Sequence, residues 1–295
     1  MSLSRSPSAI LATSGIACAA WMSSACADKP LRSLISTAGD AASEDSSSAN
    51  DSDSSVLPDQ CSGICNATAP SDPTTTPEGG IGDITMYSTL PSNGGACNYG
   101  ATDIAYYAAI SVNDQPGDAL GAWQDGRICG ECAMVTALTS QGPKNVVARI
   151  MDKCPDGYCG IDLGGDAPAA IMVDGFGRYL GRWEFVSCVG HAEVFDGPTV
   201  LSVSSSANPY WSVVQVRNPP SAVTSMSWQD TTDTSQTGEF TYSGEAFENT
   251  YQVPLAVLGS NATFSVTVSY RDDAPATVTL NAQDLAAPGA SYPLQ

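Results

Sequence analysis

The number and placement of its cysteines constrain this chain more than any other feature. Ten cysteines occur, and eight of them lie between residues 61 and 188: Cys61, Cys65, Cys97, Cys129, Cys132, Cys154, Cys159 and Cys188. An even number of cysteines in an exported chain predicts a disulfide framework. The Cys129-Gly-Glu-Cys132 segment could instead serve zinc or redox chemistry, but neither further zinc ligands nor a thioredoxin-like context is visible nearby. We therefore predict structural disulfides, and a portion after Cys188 that folds without them.

The first 27 residues have the pattern of an export signal. Arg5 gives a weakly basic start, a mostly small and apolar stretch follows, and Ala25-Cys26-Ala27 fits a small-residue cleavage site. The pattern predicts a secreted, extracellular protein. A lipoprotein anchored at Cys18 or Cys26 is the alternative, although both cysteines lack the usual upstream Leu. No later segment has the length of a membrane span.

Residues 28–80 have the composition of a disordered linker rich in Ser, Asp, Thr and Pro. Residues 43–53 show no periodicity and almost nothing to bury. Cys61 and Cys65 interrupt the linker, and two cysteines this close most simply bridge to each other. We therefore expect a small pinned loop within an otherwise unstructured segment.

The charge of the chain excludes several partners. Acidic residues outnumber basic ones by 31 to 11, which gives a formal net charge of −20. Nucleic acids and anionic membrane surfaces require clustered Lys and Arg, so neither is expected as a partner. His191 is the single histidine, which excludes a multi-His metal centre. We expect no metal and no cofactor, and we interpret His191 as structural.

The remainder of the chain is β-rich and divides near residue 197. Residues 81–196 contain short apolar runs separated by Gly, Pro, Asn and Asp, with helices predicted over 101–112 and 167–176. Residues 197–295 alternate apolar and polar side chains more regularly, as in an antiparallel sandwich. The end of the cysteines and the Asp196-Gly197-Pro198 turn mark the boundary. We predict a mainly all-β protein with a disulfide-stapled β domain followed by a β-sandwich.

A series of short motifs occurs in this part of the chain. They are 82–87 (GDITMY) with 94–100 (GGACNYG), 125–132 (DGRICGEC), 151–155 (MDKCP), 160–163 (GIDL) and 208–218 (NPYWSVVQVRN). The series resembles the motifs of expansins. Each motif is weak alone, but together they follow the family order. The resemblance spans residue 81 to about residue 290.

The resemblance implies a specific fold and activity. The first domain would be a six-stranded double-psi β-barrel with an open polysaccharide groove. The second would be an immunoglobulin-like sandwich resembling carbohydrate-binding module family 63. Such proteins loosen cellulose-containing cell walls by disrupting non-covalent contacts, without hydrolysis. By analogy with plant expansins, the resemblance also pairs Cys97 with Cys129, Cys132 with Cys188, and Cys154 with Cys159.

The resemblance further implies a set of groove residues. Asp162 matches the essential acid of the family; in an apolar groove such a carboxyl has a raised pKa and can protonate or hydrogen-bond a glycosidic oxygen. Its alternative role is to cap a turn before Gly164. Asp152 matches the second acid, Thr85 a hydroxyl that bonds the sugar or Asp162, and Tyr87 a wall of the groove.

The identity of residue 154 indicates which relatives are the better guide. Cys154 stands where well-studied bacterial relatives have a groove Tyr. Plant-type members carry Cys there, so the disulfide-stapled version is the closer model.

Hydrolysis would need a second carboxylate acting as a base. In related family-45 endoglucanases this base follows a Thr-x-Tyr-Trp motif, whereas Thr89 occupies the position here. A hydroxyl cannot act as that base, and Asp83 lies roughly 20 Å from residue 89 on an extended strand. The sequence therefore favours a non-hydrolytic activity over an enzyme. The alternatives are an endoglucanase, a lytic transglycosylase or a binding-only barwin-like module.

Tyr210 and Trp211 match the paired surface aromatics of the second domain, and we take Phe247 as the third. Aromatic faces stack on the apolar faces of sugar rings. Adjacent strand residues point to opposite sides, so Tyr210 and Trp211 can share a surface only if Asn208-Pro209 twists the start of the strand. Trp211 could alternatively be the core tryptophan of the sandwich.

Other aromatic residues have competing roles. Tyr242 and Trp228 compete with Phe247 for the third binding position. Trp183 is expected to pack in the core, and lining the groove is its alternative role. The predicted partner is a neutral polysaccharide, namely cellulose, xylan or another β-glucan, because an acidic surface repels anionic glycans at low salt. We expect the protein to be a monomer.

Overall fold

The computed structural model describes residues 74–76, 78–87, 94–112, 122–156, 158–195, 197–244 and 249–295. These residues all belong to one compact unit. The predicted signal, the Cys61–Cys65 loop, Thr89 and Phe247 lie outside the described residues. Within the described ranges, no helix has the length and apolar character needed to cross a membrane.

The first part of the described chain forms a closed β-barrel. Its strands are β1 (Thr74–Thr76), β2 (Gly79–Met86), β3 (Tyr106–Ser111), β4 (Cys132–Thr139), β5 (Gly142–Cys154), β6 (Cys159–Gly165) and β7 (Tyr179–Val186). Six strands follow the order β2-β6-β3-β5-β4-β7, and β7 pairs back onto β2 to close the barrel. The β2–β6 and β3–β5 pairs are parallel, and the other four are antiparallel. The predicted six-stranded barrel is confirmed.

Strand β1 lies inside the segment that was expected to be linker. It pairs antiparallel with the start of β2, with Thr74 opposite Ile81. The pairing satisfies backbone groups of a short polar run that has little to bury by itself. Composition alone therefore placed the end of the linker several residues too late.

The barrel interior is filled by alternate apolar side chains. Ile84, Ile110, Ile161 and Leu163 are fully buried in this core, and Trp183 packs among them as expected. The short helix α1 (Ala167–Ile171) begins with Pro168 in its first turn. The helix is shorter than the range 167–176 that the sequence predicts. One 3-10 turn spans Gly95–Cys97, and another spans Gln124–Gly126.

The helix predicted over residues 101–112 is wrong, because this segment contains strand β3. The strand lies between β5 and β6, and both of its faces are almost entirely buried. Ala108 and Ile110 face the barrel core, while Ala109 packs in a separate cluster on the other side. A strand buried on both faces shows no alternation, so its short Ala-rich run cannot be distinguished from a helix by periodicity.

The second part of the described chain is a two-sheet β-sandwich. Its elements are β8 (Val200–Val203), β9 (Val213–Arg217), β10 (Val223–Asp230), β11 (Thr237–Glu239), β12 (Thr241–Tyr242), β13 (Tyr251–Gln252), α2 (Leu255–Leu258), β14 (Thr263–Tyr270), β15 (Ala276–Asn281), α3 (Ala282–Leu285) and β16 (Ser291–Pro293). One sheet has the order β11-β10-β14-β15 and the other β12-β13-β9-β8-β16. A single apolar cluster fills the sandwich, including Leu201, Val214, Trp228 and Val266. The predicted barrel-then-sandwich architecture is confirmed, while the exact boundary near residue 197 stays a prediction.

Three disulfides are present in the described chain. They join Cys97 to Cys129, Cys132 to Cys188 and Cys154 to Cys159, which are the pairs that the resemblance to plant expansins implies. The first two cross-link distant parts of the barrel, with sequence separations of 32 and 56 residues. The third closes a loop of only five residues between β5 and β6.

Candidate functional site

Four side chains form a row across adjacent strands on the outer face of the barrel. Thr85 on β2 is the register partner of Asp162 on β6, Asp162 is the partner of Ala109 on β3, and Ala109 is the partner of Asp152 on β5. Register partners project to the same face of a sheet. Thr85, Asp162 and Asp152 are each partly exposed, whereas Ala109 is buried. The structure thus brings together three of the four predicted groove residues.

A register shift places Asp152 in this row. Ala108 pairs with Ile150, but the next residue of β3, Ala109, pairs with Asp152, so Met151 is the extra residue on β5. Simple alternation after Ile150 would turn Met151 outward and Asp152 into the barrel. An extra residue of this kind re-aims the side chains that follow it. The Asp152 carboxylate consequently reaches the outer surface.

The surroundings of Asp162 hold its carboxyl by a hydrogen bond and shift its pKa. The Thr85 hydroxyl donates a 2.8 Å hydrogen bond to its Oδ1. Burial raises the pKa of Asp162, and the negative charges of Asp156 and Asp152 add to the rise, while the Thr85 bond and the Arg178 guanidinium oppose it. The net pKa shift is upward, so this carboxyl keeps its proton at a higher pH than an exposed aspartate does.

Backbone N–H groups hold the carboxylate of Asp152 in place. Its Oδ1 accepts hydrogen bonds from the N–H of Ala96 at 2.8 Å and from the N–H of Lys153 at 2.9 Å. Gly95 makes this approach feasible: its φ is 66°, and a Cβ there would lie 2.5 Å from the Met151 carbonyl oxygen and 2.8 Å from Cγ of Asp152. Any side chain at residue 95 would push the Gly95–Cys97 turn away from the carboxylate.

A small apolar cluster lies beneath the row. It consists of Ala109, the Cys154–Cys159 disulfide and Tyr87. A carboxylate oxygen of Asp162 lies within 4.8 Å of both sulfur atoms. The sulfurs are bonded to each other and so offer no thiolate to a metal. Their effect is to replace water beside Asp162 with apolar surface, which is the physical cause of the raised carboxyl pKa.

Tyr87 joins the site through this cluster. Its ring packs edge-on against Tyr107 with centroids 5.7 Å apart. Burial raises the pKa of Tyr87, and the charges of Asp152 and Asp162 raise it further. Among the described residues its buried hydroxyl has no hydrogen-bond partner. Tyr87 therefore forms part of the floor, with an unmatched donor close to both acids.

Two further charged residues, Arg178 and Asp156, influence the pKa of Asp162, and no sequence motif indicates either of them. Arg178 forms a 2.5 Å ion pair with the buried Asp83 and lies 3.8 Å from Asp156. Both Arg178 and Asp156 act on the Asp162 carboxyl. Asp156 lies in the loop of the Cys154–Cys159 disulfide, which could have indicated it, but no local pattern distinguishes Arg178. Because Asp83 is buried and paired, it does not serve as a base for the groove.

Tyr210 and Trp211 occupy a tight turn at the start of β9. Oδ1 of Asn208 accepts hydrogen bonds from the N–H groups of Tyr210 and Trp211, at 3.0 and 3.1 Å. Asn208 and Trp211 also form a backbone bridge, with Pro209 at the second position of the turn. Tyr210 is 84% exposed and Trp211 37% exposed. The aromatic pair is thus displayed by a turn, as its predicted role requires.

The competing aromatic residues have other surroundings. Trp228 is buried in the sandwich and packs edge-on against Phe264 at 5.4 Å, so it is the core tryptophan in place of Trp211. The Tyr242 hydroxyl is bonded to the Asp125 carbonyl and to Asn249, and its ring lies 4.3 Å from the Arg127 guanidinium. Neither is presented as a free sugar-stacking surface, and Phe247 stays a prediction.

The barrel and sandwich together define an expansin-like fold. An apo expansin from Clavibacter michiganensis superposes with a TM-score of 0.54 at 20% identity, covering 72% of this chain and 94% of that chain. A mutant of a Clavibacter michiganensis expansin, solved with cellohexaose, gives a TM-score of 0.53 at 17% identity with the same coverage. No protein-family model and no curated protein sequence matches the chain. The likeness therefore establishes the fold.

Proposed function

We propose that the protein binds a neutral β-glucan, with cellulose as the expected polymer, and loosens its packing without cleaving it. The observation that carries the proposal is the Thr85–Asp162 pair on the outer face of the barrel. Oδ1 of Asp162 already accepts a hydrogen bond from Thr85, so the proton of the neutral acid resides on Oδ2. A neutral carboxyl with a raised pKa can donate that proton in a hydrogen bond to a glycosidic or hydroxyl oxygen. Such a bond competes with the hydrogen bonds that hold glucan chains together.

The exposed aromatic turn supports the same proposal. Tyr210 and Trp211 offer flat apolar faces to solvent, and aromatic rings of this kind stack on sugar rings. In the solved neighbour that contains cellohexaose, an expansin-like fold holds a sugar oligomer. That complex belongs to the neighbour, and it supports a glucan as the class of ligand here.

A short segment connects the acid row to the sheet that follows the aromatic turn. The N–H of Ala96 donates to Asp152, and the Ala96 carbonyl accepts a 2.6 Å hydrogen bond from Asn249. The Cys97 carbonyl accepts a 2.9 Å bond from Gln215 on β9, the strand that begins two residues after Trp211. These bonds hold the two candidate glycan surfaces in a fixed relation. The disulfides support the further proposal that the protein works outside the cell.

A second candidate, glycoside hydrolysis, is favoured by one specific observation. Asp152 and Asp162 lie two strands apart in the same row, which corresponds to roughly 10 Å between their backbones. Inverting glycosidases separate their two carboxyl groups by about 6.5–9.5 Å. Asp152 would then have to act as the base that is missing at Thr89. Its Oδ1 already accepts two backbone hydrogen bonds, which leaves less of this carboxylate to bind and deprotonate a water, so non-hydrolytic loosening is the better-supported function.

The decisive experiment compares wild type with Asp162→Asn and Trp211→Ala, using the exposed Glu184→Gln as the control carboxylate variant. Three readouts are needed: retention on insoluble cellulose, extension of cellulose paper under constant load, and release of soluble sugar. We expect Asp162→Asn to abolish extension while cellulose retention persists, and Trp211→Ala to abolish retention first. Sugar release by wild type at about 1 per second or faster, abolished in Asp162→Asn, would establish hydrolysis instead.

A further inference from the structure

A second polar cavity, separate from the acid row, lies between the barrel and the sandwich. Its volume is about 270 Å³, which leaves room for one sugar ring. Tyr99, residues 101–104, and Arg149 and Met151 of β5 line one side, and Arg217 and Asn218 line the other. Two guanidinium groups therefore meet in one cavity of a chain that has only 11 basic residues against 31 acidic ones.

Arg149 forms the buried wall of this cavity. It is 1% exposed, and it donates through Nη1 to Oδ1 of Asn218 at 3.0 Å and through Nη2 to the Pro219 carbonyl at 2.8 Å. Both acceptors are neutral, so these bonds do not neutralise the buried charge. Among the described residues, its Nε has no hydrogen-bond partner. Burial lowers the pKa of Arg149 to about 10, while Tyr99 and the negative charge of Glu131 oppose this shift.

Arg217 forms the exposed rim. It is the last residue of β9, and within the described ranges no ion pair or side-chain hydrogen bond engages its guanidinium. Tyr99, which also lines the cavity, is acted on by the positive charges of both Arg149 and Arg217. The tyrosine therefore lies near both guanidinium groups, and the two positive charges act on the same space.

The rest of the lining limits the charge of a ligand. Asp103 is exposed at the cavity and contributes one negative charge, which leaves a net charge of plus one. A monoanion matches this balance better than a dianion such as phosphate, which Asp103 repels more strongly. Thr102 and Asp103 can bond hydroxyl groups, and Ile104 and Met151 provide apolar contact.

We propose that this cavity binds one uronic-acid residue, with its carboxylate held by the exposed Arg217 and attracted by the positive charge of the buried Arg149 behind it. The ring hydroxyls would face Thr102 and Asp103, and the apolar face of the ring would face Ile104. Guanidinium groups are suited to carboxylates because they present paired donors in one plane. The site would let a protein with a strongly acidic surface recognise an acidic branch on an otherwise neutral polysaccharide. It does not depend on cellulose binding, because a free monosaccharide suffices to test it.

The test uses calorimetric titration of the full chain with glucuronate, with glucose as the uncharged control and with acetate and sulfate as anions lacking the ring. We expect glucuronate to bind at millimolar concentration and glucose to give no signal. Arg217→Gln should weaken glucuronate binding about tenfold or more, since a charge-assisted hydrogen bond is lost. The matched control is Arg182→Gln, an exposed arginine of the barrel, which should bind glucuronate as wild type does.

A second variant tests the site in the opposite direction. Asp103→Asn removes the negative charge from the lining and should tighten glucuronate binding. The proposal is overturned if glucuronate gives no binding, if Arg217→Gln binds it as wild type does, or if Asp103→Asn weakens it. Acetate or sulfate binding as tightly as glucuronate would also overturn the proposal, because the cavity would then be a general anion site.

Discussion

The hydroxyl of Thr85 donates a hydrogen bond to the carboxylate of Asp162 across 77 residues of sequence, because the two residues are register partners on parallel strands β2 and β6. The bond stabilises the charged form of Asp162, whereas burial against the Cys154–Cys159 cluster stabilises the neutral form. Burial is the larger influence, so the pKa of Asp162 is raised. The pair can therefore be tested by changing one influence at a time.

Replacing Thr85 with Val should raise the pKa of Asp162 further. The substitution keeps the shape of the side chain but removes the donor that favours the carboxylate. The measurement is a titration of the Asp162 carboxyl by carbon-detected NMR. Thr279→Val is the control, because this threonine is exposed on strand β15 of the sandwich. A pKa that is unchanged or lower in Thr85→Val would show that the hydrogen bond does not form in solution.

The raised pKa of Asp162 also predicts how stability depends on pH. The native state holds this proton at a higher pH than the unfolded chain, so the stability it contributes is complete at low pH and is lost as pH rises through the native pKa. Asp162→Asn cannot lose a proton. The difference in unfolding free energy, variant minus wild type, should therefore increase as the pH rises from about 3 to neutral. Denaturant unfolding across this range measures the difference, and a constant or shrinking gap would contradict the raised pKa.

Glu131 offers a sharper test of the same linkage. It is fully buried, and its Oε2 accepts a 2.9 Å hydrogen bond from the N–H of Ala222 and lies 3.6 Å from Nε of Arg271. Burial raises the pKa of Glu131 from 4.5 to about 7, although these two partners stabilise the carboxylate and oppose the rise. Because the native state holds the proton more tightly, the stability from protonated Glu131 is lost as pH rises from about 4 to about 7.

Glu131→Gln should remove this pH dependence. Relative to the variant, wild type should lose about 3 kcal/mol of unfolding free energy between pH 4 and pH 8, which corresponds to the size of the pKa shift. Chemical denaturation at a series of pH values measures it. Glu184→Gln is the control, since that glutamate is exposed. Parallel pH profiles of wild type and Glu131→Gln would rule out a raised pKa at Glu131.

The sequence was sufficient to predict much of the architecture. The cysteine count indicates a stapled domain, and the alternating pattern after residue 197 indicates the sandwich. The resemblance of five motifs to those of expansins implies the six-stranded barrel. Trp183 was correctly expected in the barrel core, because its segment alternates regularly. These features depend on local pattern, which a single sequence carries directly.

The remaining features depend on contacts between distant segments. The sequence pattern predicts a helix where strand β3 lies, because the two faces of this strand are covered by elements far away in the chain. The placement of Asp152 depends on the extra residue Met151, which no periodicity reveals. The influence of Arg178 on Asp162 depends on a loop that approaches the site only in the folded barrel. Register and loop approach are set by tertiary packing, so the sequence pattern could not predict them.

The disulfides should differ in their contribution to stability according to the loops they close. Loss of Cys132–Cys188, with a sequence separation of 56 residues, should cost about 4 kcal/mol, whereas loss of the five-residue Cys154–Cys159 link should cost about 2 kcal/mol. The Cys132→Ala/Cys188→Ala and Cys154→Ala/Cys159→Ala double variants test this by denaturant unfolding. Mass spectrometry without reduction should first confirm three bridges among the six described cysteines. Equal losses, or a larger loss for the short loop, would contradict the entropic explanation.

Asn208 should control glycan binding without touching the glycan. Its Oδ1 holds the N–H groups of both Tyr210 and Trp211, so Asn208→Ala leaves the two rings intact but loosens the turn that displays them. The loss of hydrogen bonding is worth about 1 kcal/mol, so cellulose affinity should fall between about threefold and tenfold, less than in Trp211→Ala. Depletion isotherms on insoluble cellulose measure the affinity. Ser206→Ala is the matched control, because the hydroxyl of Ser206 forms a hydrogen bond with Ser204 in the same loop and none with Tyr210 or Trp211. The contrary outcome is that Asn208→Ala binds cellulose as tightly as wild type while Trp211→Ala does not. In that case the rings bind without the turn, and the proposed role of Asn208 in positioning them is wrong.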